Sequence, residues 1–139
     1  MSIVISTDKE KLDIDFIHQF LTNSYWAEGR TKEDVITSIE NCMCFGIYEN
    51  GNQVGFARVL TDYVVFGYLM DVFITKEHRG KGYSKQLIKA IMEHPDLQQI
   101  KRWMLATKDA HGLHKQFGFD SIKDTSRMMG KVTINLNWK

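Results

Sequence analysis

The chain has 139 residues, enough for one domain with a single core and too few for two. Hydrophobic residues make up 43% and charged residues 25%, the balance of a soluble globular protein rather than a disordered one. Eighteen basic residues against 17 acidic ones leave a net charge of +1, which argues against a nucleic-acid binder working by phosphate neutralisation. No apolar run is long enough for a membrane span, and Met1–Asp8 lacks the basic and apolar regions of a secretory signal. The cytoplasm is the expected compartment, with neither membrane nor nucleic acid as partner.

In chain order, Ile3 to Ser6 predicts a short strand, and Asp13 to Leu21 carries Ile14, Ile17, Phe20 and Leu21 at helical spacing. A loop holding Tyr25 and Trp26 follows. Thr31 with Asp34 has capping-box character, and Val35, Ile36 and Ile39 give the next helix its apolar stripe. Cys42 and Cys44 share one face of a strand. With no His or third Cys nearby they predict packing rather than a metal site. Asn50-Gly51 predicts a hairpin between Cys42–Glu49 and Gln53–Thr61. The run from Tyr63 to Thr75 is long for one strand, and Gly67 suggests a bulge or bend within it.

The turn Arg79-Gly80-Lys81-Gly82 then opens a helix with Leu87, Ile88, Ile91 and Met92 on its apolar face. Trp103 to Ala106 reads as a short strand, and Asp109 to Phe117 as a helix stopped by Gly118. Two late strands are expected over Phe119–Asp124 and Met128–Leu136. The order is mixed α/β, an antiparallel meander feeding a βαβ unit.

The chemistry concentrates at the strand–glycine turn–helix. A helix N-terminus leaves unpaired N–H groups and partial positive charge, a ready anion site. Gly80 and Gly82 let the backbone approach a bulky diphosphate, while Arg79 and Lys81 add charge. Gly-Lys-Ser/Thr is absent, so this is not a Walker loop, and Ser84 and Lys85 replace the third glycine of a dinucleotide fingerprint. A tight turn with no ligand remains the alternative on this motif alone.

Two motifs in order raise the specificity. Glu77-His78-Arg79-Gly80-Lys81-Gly82 resembles the Gln/Arg-x-x-Gly-x-Gly/Ala loop of the GNAT acetyltransferase superfamily, with Glu77 departing from the first position. Downstream, Ala110-His111-Gly112-Leu113-His114-Lys115-Gln116-Phe117-Gly118-Phe119 resembles the family's Ala-x-x-Leu-Tyr-x-x-x-Gly-Phe stretch, with His114 in the tyrosine slot. The resemblance covers nearly the whole chain. It implies one domain over residues 1–139, with about six to seven strands, about four helices and splayed central parallel strands.

The resemblance also implies acetyl transfer from acetyl-CoA to a primary amine by direct attack, with no metal. The cofactor would lie against Val72, Phe73, Ile74, Arg79, Gly80, Lys81, Gly82, Tyr83 and Ser84, with freed backbone groups of residues 72–74 pairing with pantetheine. A backbone N–H there would polarise the thioester carbonyl.

For proton transfer, Asp71 stands in an apolar strand beside the expected thioester, either as a base or as the structural partner of Arg58. His114 is a candidate acid or base, with Tyr83 or water as substitutes. Tyr25 and Trp26, with Asp71, would line the acceptor site by cation–π contact or act as lid packing. The acceptor is a small-molecule or peptide amine of unspecified identity, and a homodimer with paired late strands is compatible with the family. The rival function is an acyl-CoA-binding sensor without turnover, kept in view by Glu77 and His114.

Overall fold

The computed structural model describes residues 2–133. A five-stranded sheet in the order β1-β2-β3-β4-β5 forms the centre: β1 Ile3–Ser6, β2 Met43–Glu49, β3 Asn52–Thr61, β4 Phe66–Ile74 and β5 Arg102–Leu105. The first four strands are antiparallel neighbours, and β5 runs parallel to β4. Asn50 and Gly51 both take positive φ at the β2–β3 turn, which is why that dipeptide makes a tight hairpin.

Four α-helices clothe the sheet: α1 Ile14–Thr22, α2 Lys32–Glu40, α3 Tyr83–Met92 and α4 His111–Lys115. Asp13 caps α1 by accepting from the Phe16 N–H at 3.1 Å, and Thr31 caps α2 by accepting from Asp34 N–H at 3.1 Å. α1 and α2 bury Ile17, Leu21, Val35 and Ile39 against Phe56 and Phe73 on one face. Phe20 stacks on Phe73 with centroids 3.8 Å apart. On the other face α3 buries Leu87, Ile88 and Ile91 against Phe45, Ile47, Val59 and Leu69. Cys42 and Cys44 are free, buried thiols packed in the first of these cores.

Several expectations are corrected. The run from Tyr63 begins with a turn: Asp62 Oδ1 accepts from the N–H groups of Val64, Val65 and Phe66, so the strand starts only at Phe66. Gly67 is no bulge. A Cβ there would stand 3.2 Å from Ile100 Cδ1 and Trp103 Cε3, so the glycine admits the close approach of β5. The bulge lies at Asp71, where three steps along β4 match two along β3 and Asp71 adopts φ of 54°.

Among the described residues there are five strands, where six to seven were expected for the chain. Residues 119–124 form no strand, nor do 128–133, and the remainder of the last predicted strand lies outside the described residues.

Candidate active site

The parallel pair at the centre separates. Its register runs from Phe66 opposite Arg102 to Leu69 opposite Leu105 and stops, while β4 continues to Ile74. Beyond Leu69, β4 keeps β3 on one side and, among the described residues, has no strand on the other. Of residues 72–74, Phe73 is turned the other way: Thr75 N–H donates to the Val54 carbonyl at 2.9 Å in the register that sets Phe73 against Phe56, so the backbone of Phe73 faces β3. The edge groups are those of its neighbours Val72 and Ile74, which can hydrogen-bond an extended chain laid in the gap. Ile74 is a partial exception, because its C=O accepts from Arg79 Nε at 3.0 Å. Arg79 thus fastens the loop to the strand end with part of its guanidinium.

The gap leads to the glycine turn. Gly80 and Gly82 both have φ of 80°, a left-handed conformation that a Cβ disfavours. Gly82 caps α3 with no side chain on the helix's first N–H groups, and a hypothetical Cβ at either glycine meets nothing within 4 Å. The backbone here is open to an approaching group. A cleft of about 110 Å³ sits at this point, lined by Ile74, Arg79, Gly80, Gly82, Tyr83 and Ser84, with His78 beside them. Open amides, a helix N-terminus and a nearby guanidinium make an anion cradle suited to a diphosphate.

Behind the cradle is a carboxylate that the sequence reading missed. Glu49, at the end of β2, is buried and accepts from Tyr83 Oη at 2.8 Å. His78 Nε2 lies 2.9 Å and Lys81 Nζ 3.5 Å from the same carboxylate. The Tyr83 hydrogen bond, followed by the charge of Lys81, lowers the Glu49 carboxyl below its ordinary range despite burial. Burial and Glu49 push the Tyr83 phenol the other way, so it is a poor proton donor as well as one turned into the brace. Lys81 is likewise held toward Glu49. His78 Nδ1 also lies 2.9 Å from the Thr75 hydroxyl, in hydrogen-bond contact, which ties the brace to the end of β4. Glu77 is exposed in a single 3-10 turn.

Asp71 gathers the other side of the site. Its side chain is 1% exposed, and its Oδ2 accepts from Arg58 Nε at 2.6 Å and from Arg30 Nη1. Its Oδ1 accepts from Trp26 Nε1 at 2.9 Å. Burial acts to raise the Asp71 carboxyl, but the charges of Arg58 and Arg30 outweigh it and hold the group below the usual carboxylate range. A carboxylate committed to two guanidiniums has little basicity left. The geometry favours the partner of Arg58 over the free base.

The same bonds position the loop between α1 and α2. Trp26 and Arg30 bind Asp71, and His18 Nε2 lies 3.0 Å from the Arg30 carbonyl. Tyr25 packs edge-on to Trp26 with centroids 5.2 Å apart and is 53% exposed. Lys108 Nζ lies 5.2 Å from the Tyr25 ring centroid, so one cation–π contact on that ring is already made within the chain. Tyr25, Trp26 and Asp71 therefore form one contiguous group.

His114 sits in α4 and is buried, against the edge of Phe119 at 5.9 Å. Its Nδ1 is buried without a hydrogen-bond partner among the described residues. Burial, with a smaller effect of His111, lowers its pKa, so the ring is neutral near pH 7. An unpaired ring nitrogen in a buried place is costly without a purpose. Among the described residues no three His, Cys, Asp or Glu side chains converge as metal ligands, and no helix is long and apolar enough to cross a membrane.

The sequence profile of the Acetyltransferase (GNAT) family matches residues 11–119, spanning the α1–α2 loop, the bulge, the glycine turn and α4. A candidate acetyltransferase of Gibberella zeae is 29% identical over 91% of this chain and 84% of its own length. The crystal structure of a candidate GNAT-family acetyltransferase from Xanthomonas campestris pv. campestris superposes with a TM-score of 0.91. It is 44% identical and covers 95% of this chain and 94% of that one. The crystal structure of a candidate acetyltransferase with acetyl-CoA from Clostridium acetobutylicum has the same fold at a TM-score of 0.66, with 12% identity over 88% of this chain and 92% of that one.

Proposed function

We propose, from the chain's membership of the GNAT acetyltransferase family, that it transfers an acetyl group from acetyl-CoA to a primary amine by direct attack. The observation that carries the reading is the open edge of β4 beyond Leu69, which runs straight into an uncapped helix N-terminus at Gly82. An extended arm with amides fits the first, and a diphosphate fits the second. Coenzyme A has both in that order.

Bound there, acetyl-CoA supplies an acetyl thioester, and the chain's residues orient and discharge it. Val72 and Ile74 offer backbone groups at the open edge, on either side of Phe73, whose own backbone faces β3. Gly80, Gly82 and Ser84 line the diphosphate cradle, with Arg79 at its rim and Tyr83 and Lys81 bracing it through Glu49. Asp71 serves as a positioning residue. Its ion pairs hold the bulge that presents the open edge, and they hold Trp26 and Tyr25 over the acceptor side.

Proton transfer falls to His114. A neutral imidazole accepts the proton that the amine loses on attack. Once protonated it is more acidic than a thiol, with free values of about 6.5 and about 8.5, so delivery to the departing thiolate runs downhill. One ring can thus serve both halves of the reaction. The test is a thermal melt with acetyl-CoA, coenzyme A and ATP, followed by thiol release across an amine panel. A rise in melting temperature with the first two, then amine-dependent thiol release, supports the enzyme. A rise with no thiol release for any amine supports an acyl-CoA sensor instead, and no rise removes both readings.

A further inference from the structure

The mechanism above uses Arg30 and Arg58 only as partners of Asp71, yet both also line a groove of about 480 Å³ between α2 and the end of β3. That volume suits a small metabolite. Asp34 and Ser38 of α2 form one wall, Leu60 of β3 the other, and Cys42 lies at the base. The groove is on the same face of the sheet as the Asp71 side chain. Arg58 stands opposite Met70 in the register, one residue before the bulge. Through the bonds of Arg58 and Arg30 to Asp71 the groove connects to the segment of β4 whose far edge would hold the thioester.

The donors are only partly used. Arg58 gives Nε to Asp71 and Nη1 to Cys42 Sγ at 3.2 Å, and Arg30 gives Nη1 to Asp71. The remaining guanidinium N–H groups bond to no described residue, and neither Arg30 nor Arg58 has a nitrogen that is both buried and unsatisfied. They are reached from the groove. Two guanidiniums against one buried carboxylate leave a single positive charge at its base. Asp34, the other charged group lining it, stands in the first turn of α2 at the solvent-exposed wall, where water screens it. One excess charge with planar donors matches one carboxylate better than a dianionic phosphate.

We propose that this groove takes the carboxylate of the acceptor, so that the amine substrate is an amino acid or another carboxylate-bearing amine. The inference rests on the acetyl-transfer reading for its chemistry but not for its binding site. Leu60, 47% exposed, gives the aliphatic or aromatic part of such a molecule an apolar wall.

The experiment compares L-amino acids with their carboxamides, which differ only in the charge, for acetyl transfer and for binding to the coenzyme A-loaded chain by calorimetry. O-Phosphoethanolamine serves as the phosphate-bearing control. A charged hydrogen-bonded contact of this kind predicts a preference for the acid over the amide of roughly ten- to a hundredfold in kcat/KM. Arg30→Met, which leaves Arg58 to hold Asp71, collapses that ratio toward one. Leu60→Glu, a surface change, does the same by placing a competing carboxylate in the groove. Equal use of acids and amides, an undiminished ratio in both variants, or a stronger preference for O-phosphoethanolamine would overturn the proposal. Carboxylate-dependent binding without acetyl transfer would uphold the groove and remove the enzymatic reading, so the two fail separately.

Discussion

Arg58 Nε meets Asp71 Oδ2 at 2.6 Å across the β3–β4 pair, at the one residue of β4 with a left-handed backbone. A non-glycine residue in that conformation is held there by its surroundings. Here the holders are two guanidiniums and an indole N–H. The bulge, the open strand edge and the α1–α2 loop therefore share a single anchoring carboxylate.

Asp71→Asn tests that anchor. The amide keeps the shape but leaves two guanidiniums against each other with no counter-charge. Loss of one partner from a buried pair costs about 3–5 kcal/mol. The melting temperature is expected to fall by roughly 10 °C, with acetyl transfer lost alongside it. A variant as stable as the parent but inactive would instead return Asp71 to the role of base.

The same ion pairs give an acid limb to stability. The Asp71 carboxyl has a folded pKa below its ordinary value. Its contribution is present above the unfolded value of about 3.9. It disappears as pH falls through the lower, folded value. Acid unfolding of the parent is expected to show this loss, and Asp71→Asn to lack it.

His114 predicts a pH dependence of the opposite chemical type. Burial lowers its folded pKa, so the unfolded chain binds the proton first. Its contribution to stability is complete above about pH 6.5 and declines as pH falls below it. In catalysis the neutral ring is the working form, so kcat/KM falls on the acid side with a midpoint below the ordinary histidine value. His114→Phe is expected to remove that limb and lower kcat by roughly 100-fold or more, with coenzyme A binding retained. An unchanged profile in the variant would assign the limb to another group.

Gly82→Ala separates folding from binding. With φ of 80° and no atom within 4 Å of the added Cβ, the cost to folding is backbone strain alone, about 1–2 kcal/mol. The methyl group would nonetheless stand where the diphosphate approaches. Coenzyme A affinity, measured by calorimetry, is expected to fall far more than stability does. Glu49→Gln reaches the same loop from behind, weakening the Tyr83, His78 and Lys81 brace, and severalfold weaker coenzyme A binding is the expected result.

What the sequence made legible was local. Asn50-Gly51, Thr31 and the Gly80–Gly82 turn each act through their own backbone, so residue type alone reveals them. The glycine turn and the Ala110–Phe119 stretch together point to the fold from residue type and order alone.

The Asp71 bulge was not legible. Its cause lies in Trp26, Arg30 and Arg58, which are 45, 41 and 13 residues away. Glu49 looked like the polar end of a hairpin strand, and only the tertiary approach of Tyr83 reveals it as a brace. Gly67 carried a true signal with the wrong meaning, a close approach rather than a bulge. The groove beside α2 needed two distant arginines to be brought to one carboxylate, which no spacing rule encodes.

Acetyl transfer from acetyl-CoA to an amine is tested by following both products in one reaction. Free thiol and acetylated amine are counted together, with and without acceptor. Equal amounts of the two are expected, dependent on amine and abolished in His114→Phe. Thiol release that is independent of amine, or coenzyme A binding with no product from any amine, would contradict acetyl transfer.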